Sequence, residues 1–205
     1  MSLSQDLSLS SGEYIDRVQG TLQNYLAINP EEAERIETLL KQLASGDCAL
    51  SARHNMVGHL TASALVLNGQ GTHVLLIAHK SLGRWLQPGG HIEADEELEA
   101  AAQRELKEET GLSAVELLCP LPVDVDSHAI PANPKKNEGP HLHHDFQYLY
   151  RLTSPAAIAL QEEEVAQFKW VSLEDLAGGE YGMRLSRVSV KLKALKGQNT
   201  NLVGI

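Results

Sequence analysis

The chain has 205 residues and is 42% apolar, enough for one domain with a core plus an appendage. Its 27 acidic residues outnumber 17 basic ones, and a formal charge of −10 argues against non-specific binding to nucleic acid or membrane surfaces. No stretch is long and apolar enough to span a bilayer, no basic segment followed by an apolar run opens the chain, and Cys48 and Cys119 form no ligand motif; the expectation is a cytoplasmic protein with reduced, packing cysteines.

Residues 13–45 read as two helices. Tyr14, Val18, Leu22, Tyr25 and Leu26 recur at helical spacing, Asn29-Pro30 interrupts them, and Pro30 suits the first turn of the next helix. Ile36, Leu39, Leu40 and Leu43 make the second stripe, which Gly46 ends. These helices carry no recognisable chemistry. Residues 1–50 are therefore read as a helical extension that packs on the main domain of 51–205, with dimerisation or substrate selection as alternative roles. Leu60 to Leu67 reads as a strand, Asn68-Gly69-Gln70-Gly71 as a turn, and His73 to His79 as the returning strand. Arg84 to Gln87 leads into Pro88-Gly89-Gly90, and Trp85 there is expected to pack rather than stack on a base.

From Gly90 to Leu112 the chain reads GHIEADEELEAAAQRELKEETGL, a loop followed by one helix. Asp95 is placed to accept from the first-turn N–H groups, and Gly111 to cap the end in a left-handed conformation. Leu98, Ala101, Ala102 and Leu106 form a narrow apolar stripe. On the other face, Glu105 and Glu108 are three residues apart and Glu105 and Glu109 four, so the three carboxylates can converge on one point. Clustered anions repel unless a cation sits among them, and hard oxygen donors suit Mg²⁺ or Mn²⁺. Arg104 can reach Glu108 or swing toward Glu96 and hold a carboxylate in place.

This stretch matches the Nudix box G-x5-E-x7-R-E-U-x-E-E-x-G-U, U being a bulky aliphatic residue. Gly90, Glu96, Arg104, Glu105, Leu106, Glu108, Glu109, Gly111 and Leu112 fill every defined position. The chain resembles the Nudix hydrolases. The resemblance implies an α/β/α sandwich around a mixed sheet, and metal-dependent hydrolysis of a nucleoside diphosphate linked to another group. It also implies Glu105, Glu108 and Glu109 as metal ligands, joined by the Gly89 carbonyl, with Arg104 and Glu96 orienting them.

Beyond the box, Val115 to Val125 reads as a strand broken by Pro120 and Pro122, and Asp126 to Pro140 as a loop of about fifteen residues. Lys135 and Lys136 at its tip are candidate contacts for a substrate phosphate. His141 to Tyr150 alternates as a strand that puts His141, His143 and Asp145 on one face. Those three are candidates for a second, transition-metal site or for substrate contact, with His128 or His91 available to complete a ligand set. Glu162, Glu163 and Glu164 precede a strand ending in Trp170-Val171, and Ser172 is set to cap a short helix. That order resembles the closing part of a Nudix domain, in which a loop acid can serve as an extra ligand or general base; Glu162, Glu163 and Glu164 all fit that role, and Glu164 is also a candidate substrate contact. Arg184 to Lys196 is expected to be an amphipathic helix with Leu185, Val188, Leu192 and Leu195 inward.

The resulting expectation is a pyrophosphohydrolase in which Glu105, Glu108 and Glu109 hold Mg²⁺ (or Mn²⁺) and Glu108, Glu109 or a loop acid takes the proton of the attacking water. The partner is a small nucleoside diphosphate derivative, with no membrane or stable nucleic-acid binding, and a homodimer is one arrangement the family allows. The alternatives are a catalytically silent nucleotide sensor, which an intact box disfavours, and an isopentenyl-diphosphate isomerase, which would need a cysteine closer to the box than Cys48 or Cys119.

Overall fold

A computed structural model describes residues 11–47, 49–94, 96–134 and 137–198. Two long strands run parallel through its centre: β1 (His59–Leu67) and β7 (His141–Leu152), with His59 opposite His143 and Leu67 opposite Arg151. β2 (His73–His79) returns antiparallel from β1 through the expected turn and carries β3 (Arg84–Leu86) and β8 (Val165–Ser172). β4 (Gly89–His91) lies antiparallel on β1, with Thr61 opposite His91 and Ser63 opposite Gly89. On the far side of β7 sit β5 (Val115–Leu117) and β6 (Asp124–Ile130), both antiparallel to it. These eight strands of the described residues make one mixed sheet.

Side chains alternate across a strand, so β1 feeds two separate cores. Leu60, Ala62, Ala64 and Val66 join Phe146, Tyr148 and Tyr150 on one face. There they meet α1 (Ser11–Ile28), α2 (Glu37–Ala44) and α3 (Leu98–Thr110). Leu65, Leu67 and Leu149 lie on the other face, against α4 (Leu173–Ala177) and α5 (Met183–Gln198). Helices thus cover both faces, the α/β/α sandwich that the box implied.

The N-terminal helices pack as expected. Tyr14, Val18, Leu22, Tyr25, Ile36, Leu39 and Leu43 are buried in the same core as the central strands, so their apolar stripes are consumed within this chain. A polar cluster ties them to the β6 edge. Asp124 is fully buried and takes Arg35 at 3.2 Å, Arg187 at 2.8 Å and Lys191 at 2.7 Å. Tyr25 joins it, its hydroxyl accepting from Lys191 at 2.8 Å and donating to Glu32.

Four boundaries differ from expectation. Pro30 opens a short 3₁₀ turn, Pro30–Glu32, and α2 starts only at Glu37, because Glu32 and Arg35 turn inward to the cluster at Asp124. α3 starts at Leu98 with Glu97 at its cap position and no side-chain cap bond; Asp95 lies outside the described residues. Residues 126–130 are strand rather than loop, since His128 pairs with His143 and Ile130 with His141; their polar side chains line a polar sheet face instead of a turn. Leu195 is 37% exposed, lying past the end of the core that Leu185, Val188 and Leu192 fill. The caps at Gly111 (φ 71°) and Ser172, whose hydroxyl accepts the Asp175 N–H, form as read.

Candidate active site

Helix α3 presents the box acids, and Arg104 organises them. All five of its guanidinium N–H groups find acceptors. Nε and one terminal nitrogen each bond Glu96 at 2.9 Å, a bidentate pair; that terminal nitrogen also reaches the His91 carbonyl at 2.8 Å. The other terminal nitrogen bonds Glu105 at 2.8 Å and Glu108 at 3.1 Å. The two directions anticipated for Arg104 are therefore satisfied together, and the loop before the helix is fastened to the helix by one side chain.

Glu109 faces inward and is 3% exposed, and it accepts the Gly89 backbone N–H at 2.9 Å. Gly89, the residue before the box, thus stands beside the carboxylates. Gly90 approaches as closely: a Cβ there would overlap the Glu105 carboxylate. Glu164 comes from the turn before β8, and its carboxylate, that of Glu109 and a His79 ring nitrogen lie within 4.8 Å of one another. Of the three loop acids, Glu164 is the one the tertiary structure delivers to the box.

Burial lifts the Glu109 carboxyl to about 8 against the Gly89 hydrogen bond, with Glu105, Glu164 and Glu108 pushing the same way. Burial also lifts Glu105 above the usual carboxylate range despite Arg104. A nearly inaccessible carboxylate with three acids beside it and a neutral N–H as its hydrogen-bond donor needs positive charge. The carboxylate oxygens that dominate this set suit a hard divalent cation, so these residues fit such an ion.

A second polar cluster occupies the sheet face that β1, β4, β6 and β7 share. His59, His141 and His143 place one ring nitrogen each within 4.8 Å of the others. The His91 ring lies 5.1 Å from both His59 and His143, centroid to centroid. Burial, then His91 and His59, push His143 down to about 2, so its ring is neutral. Asp145 shares the face, but its carboxylate is taken by Ser63 at 2.8 Å, Thr61 at 3.2 Å and Gln87 at 3.3 Å. His128 is turned to Asp126 at 3.1 Å. Lys135 and Lys136 lie outside the described residues, as does Cys48; Cys119 is a free, half-buried cysteine.

His59, Thr61, Ser63, His79 and Gln87 were passed over in the sequence. A signal was present in His-Leu-Thr-Ala-Ser, where polar residues alternate with apolar ones at the start of β1, but an alternating strand reads equally well as a solvated edge.

The model of the NUDIX domain matches residues 58–189. This chain belongs to the NUDIX family. The box, the closing strand and helix, the acids gathered at Glu109 and the three clustered histidines all fall inside that span. Among NUDIX relatives, a "Probable DHNTP pyrophosphohydrolase" of Lactococcus lactis subsp. cremoris is 34% identical over 147 residues, covering 72% of this chain and 82% of its own. A solved NUDIX-family hydrolase from Clostridium perfringens is 29% identical, with a TM-score of 0.52 over 67% of this chain and 97% of its own. A C. elegans Ap4A hydrolase has the same fold, with a TM-score of 0.54 at 21% identity, over 68% and 98% of the two chains. The family and the hydrolase class read from the box are borne out. No helix of the described residues is long and apolar enough to cross a membrane.

Proposed function

We propose that this NUDIX protein hydrolyses a diphosphate linkage in a small nucleoside diphosphate derivative, with Mg²⁺ or Mn²⁺ held by Glu105, Glu108, Glu109 and the Gly89 carbonyl. One observation carries the reading: a buried carboxylate, Glu109, is gathered with Glu164 and with the Arg104-bound acids Glu105 and Glu108 beside two glycines. When bound, a divalent ion would neutralise the diphosphate and acidify water. The chain's own groups do the rest. Arg104 and Glu96 keep Glu105 and Glu108 from dispersing into solvent. Glu164, exposed on its turn, accepts the proton of the attacking water. The water oxygen bonds one phosphorus, the bond from that phosphorus to the bridging oxygen breaks, and the other phosphoryl group leaves.

The test is product release from a panel of nucleotide sugars, dinucleotides and oxidised nucleotides, each with Mg²⁺, Mn²⁺ or EDTA. The relatives' names add DHNTP and Ap4A to the panel. Cation-dependent cleavage is expected for at least one member, with Glu164→Gln lowering kcat roughly 100-fold or more while cation affinity holds. A silent panel combined with tight, cation-dependent nucleotide binding would replace the enzyme reading with that of a sensor.

A further inference from the structure

The histidine cluster on the sheet face is not explained by the carboxylate chemistry. Its three closest rings come from two strands. His59 and His143 are direct neighbours in the parallel β1–β7 register, and His141 lies two residues before His143 on the same face. The tautomers follow from the bonds on the far side of each ring. His59 Nδ1 is 3.1 Å from the Asn55 carbonyl and His141 Nδ1 is 2.8 Å from the Gly139 carbonyl. A carbonyl can only accept, so both Nδ1 atoms carry a proton, and in the neutral form of each ring the lone pair is then on Nε2. His141 Nε2 lies 3.2 Å from His143 Nε2, and one ring nitrogen of His59 is within 4.8 Å of a ring nitrogen of each.

A proton shared by His141 and His143 would satisfy that pair and leave His59 out. His59 is 1% exposed, and its Nε2 has no hydrogen-bond partner among the described residues. A buried acceptor left without a donor is destabilising. A single cation accounts for all three nitrogens. Neutral imidazoles are borderline donors that favour Zn²⁺ and similar ions over Mg²⁺, and a carbonyl on the Nδ1–H of two of them is the usual way a metal-bound ring is oriented. Ligand nitrogens in a tetrahedral zinc site stand roughly 3.3 Å apart, near the His141–His143 separation.

We propose that His59, His141 and His143 form a transition-metal site of the zinc class, separate in donor chemistry from the box carboxylates. Three neutral ligands leave one position for water or an anionic oxygen. The site is joined to the box through His91, whose ring stands beside His59 and His143 while its carbonyl holds Arg104. Nothing in this assignment depends on the hydrolase reading.

The experiment is a calorimetric titration of tag-free, chelator-stripped protein with Zn²⁺ in excess Mg²⁺, which keeps the carboxylates occupied. One equivalent of Zn²⁺ is expected to bind. His59→Asn and His141→Asn should each weaken it at least tenfold, and Glu108→Gln should leave it unchanged. No uptake, equal affinity in the histidine variants, or a loss confined to Glu108→Gln would overturn the site. Should the histidine variants fold poorly, the Co²⁺ spectrum of the unaltered protein decides in the same buffer. Intense visible bands of tetrahedral cobalt support the site, and the weak bands of octahedral, oxygen-bound cobalt refute it.

Discussion

Gly90 and Glu105 share one space: the carboxylate of Glu105 fills the position where any side chain at 90 would begin. Gly90→Ala therefore has to displace Glu105 from its place beside Arg104. Mg²⁺ affinity should fall at least tenfold, about 1.4 kcal/mol, while the far-ultraviolet circular dichroism stays that of the parent. Unchanged affinity by calorimetry would mean that Glu105 is not a ligand.

Arg104→Lys keeps the charge and loses the fork. A lysine ammonium cannot hold Glu96 bidentately while reaching Glu105, Glu108 and the His91 carbonyl. Activity on whichever substrate the panel identifies should fall by roughly 10–100-fold, the range seen when groups that orient metal ligands are removed. Parent-like kcat and cation dependence would assign Arg104 to structure alone.

Acid should unfold the protein through the cluster at the β6 edge. Burial alone would raise the Asp126 carboxyl, but the His128 hydrogen bond and the Arg184 and Arg187 guanidiniums outweigh it and hold it well below the usual carboxylate range. Burial is likewise outweighed at Glu32, by its bonds with Lys191 and Tyr25. Both groups are depressed in the folded state, so the unfolded chain takes up their protons first. Their stabilisation is present above the unfolded carboxylate range, about pH 4, and is lost as pH falls below it. Thermal melts from pH 7 to 3 should show that decline, and Arg187→Gln should make it shallower. An equal slope in the variant would remove Asp126 and its arginines as the cause.

Tyr25→Phe probes the N-terminal helices. Its hydroxyl accepts the Val125 N–H at 3.2 Å and Lys191 at 2.8 Å; removing it takes the buried Val125 N–H's acceptor away, while Lys191 keeps Asp124 at 2.7 Å. The cost should be about 1–3 kcal/mol by urea denaturation, with cation binding unaffected. Because α1 and α2 fill the same core as β1 and β7, a chain starting at residue 51 should expose that core and aggregate. A soluble, cooperatively folding truncation would restore the picture of a separable extension.

The box was legible in the sequence because its chemistry is local. Glu105, Glu108 and Glu109 meet through helical spacing alone, Arg104 reaches Glu108 one turn on, and Gly111 is a cap that needs no partner. The hairpin of β1 and β2 and the Ser172 cap were equally local. The strand 126–130 was missed because Asp126 and His128 look like loop residues until β7 is known to lie beside them. The acid to choose from Glu162, Glu163 and Glu164 depended on where the turn before β8 meets α3, and no spacing rule reports that.

By itself the sequence determined the family, the helix that carries the acids and the donor chemistry of that helix, since all three follow from side chains within a few turns of one another. Only the tertiary structure decided that His59 rather than Asp145 joins His141 and His143, that Glu164 reaches Glu109, and that Tyr25 anchors the N-terminal helices to Lys191 and Val125. Those contacts come from a parallel strand pairing and from packing across the β6 edge. Their geometry is set by register between distant segments, and period two along a single strand says which face a residue takes but not which neighbour it will find there.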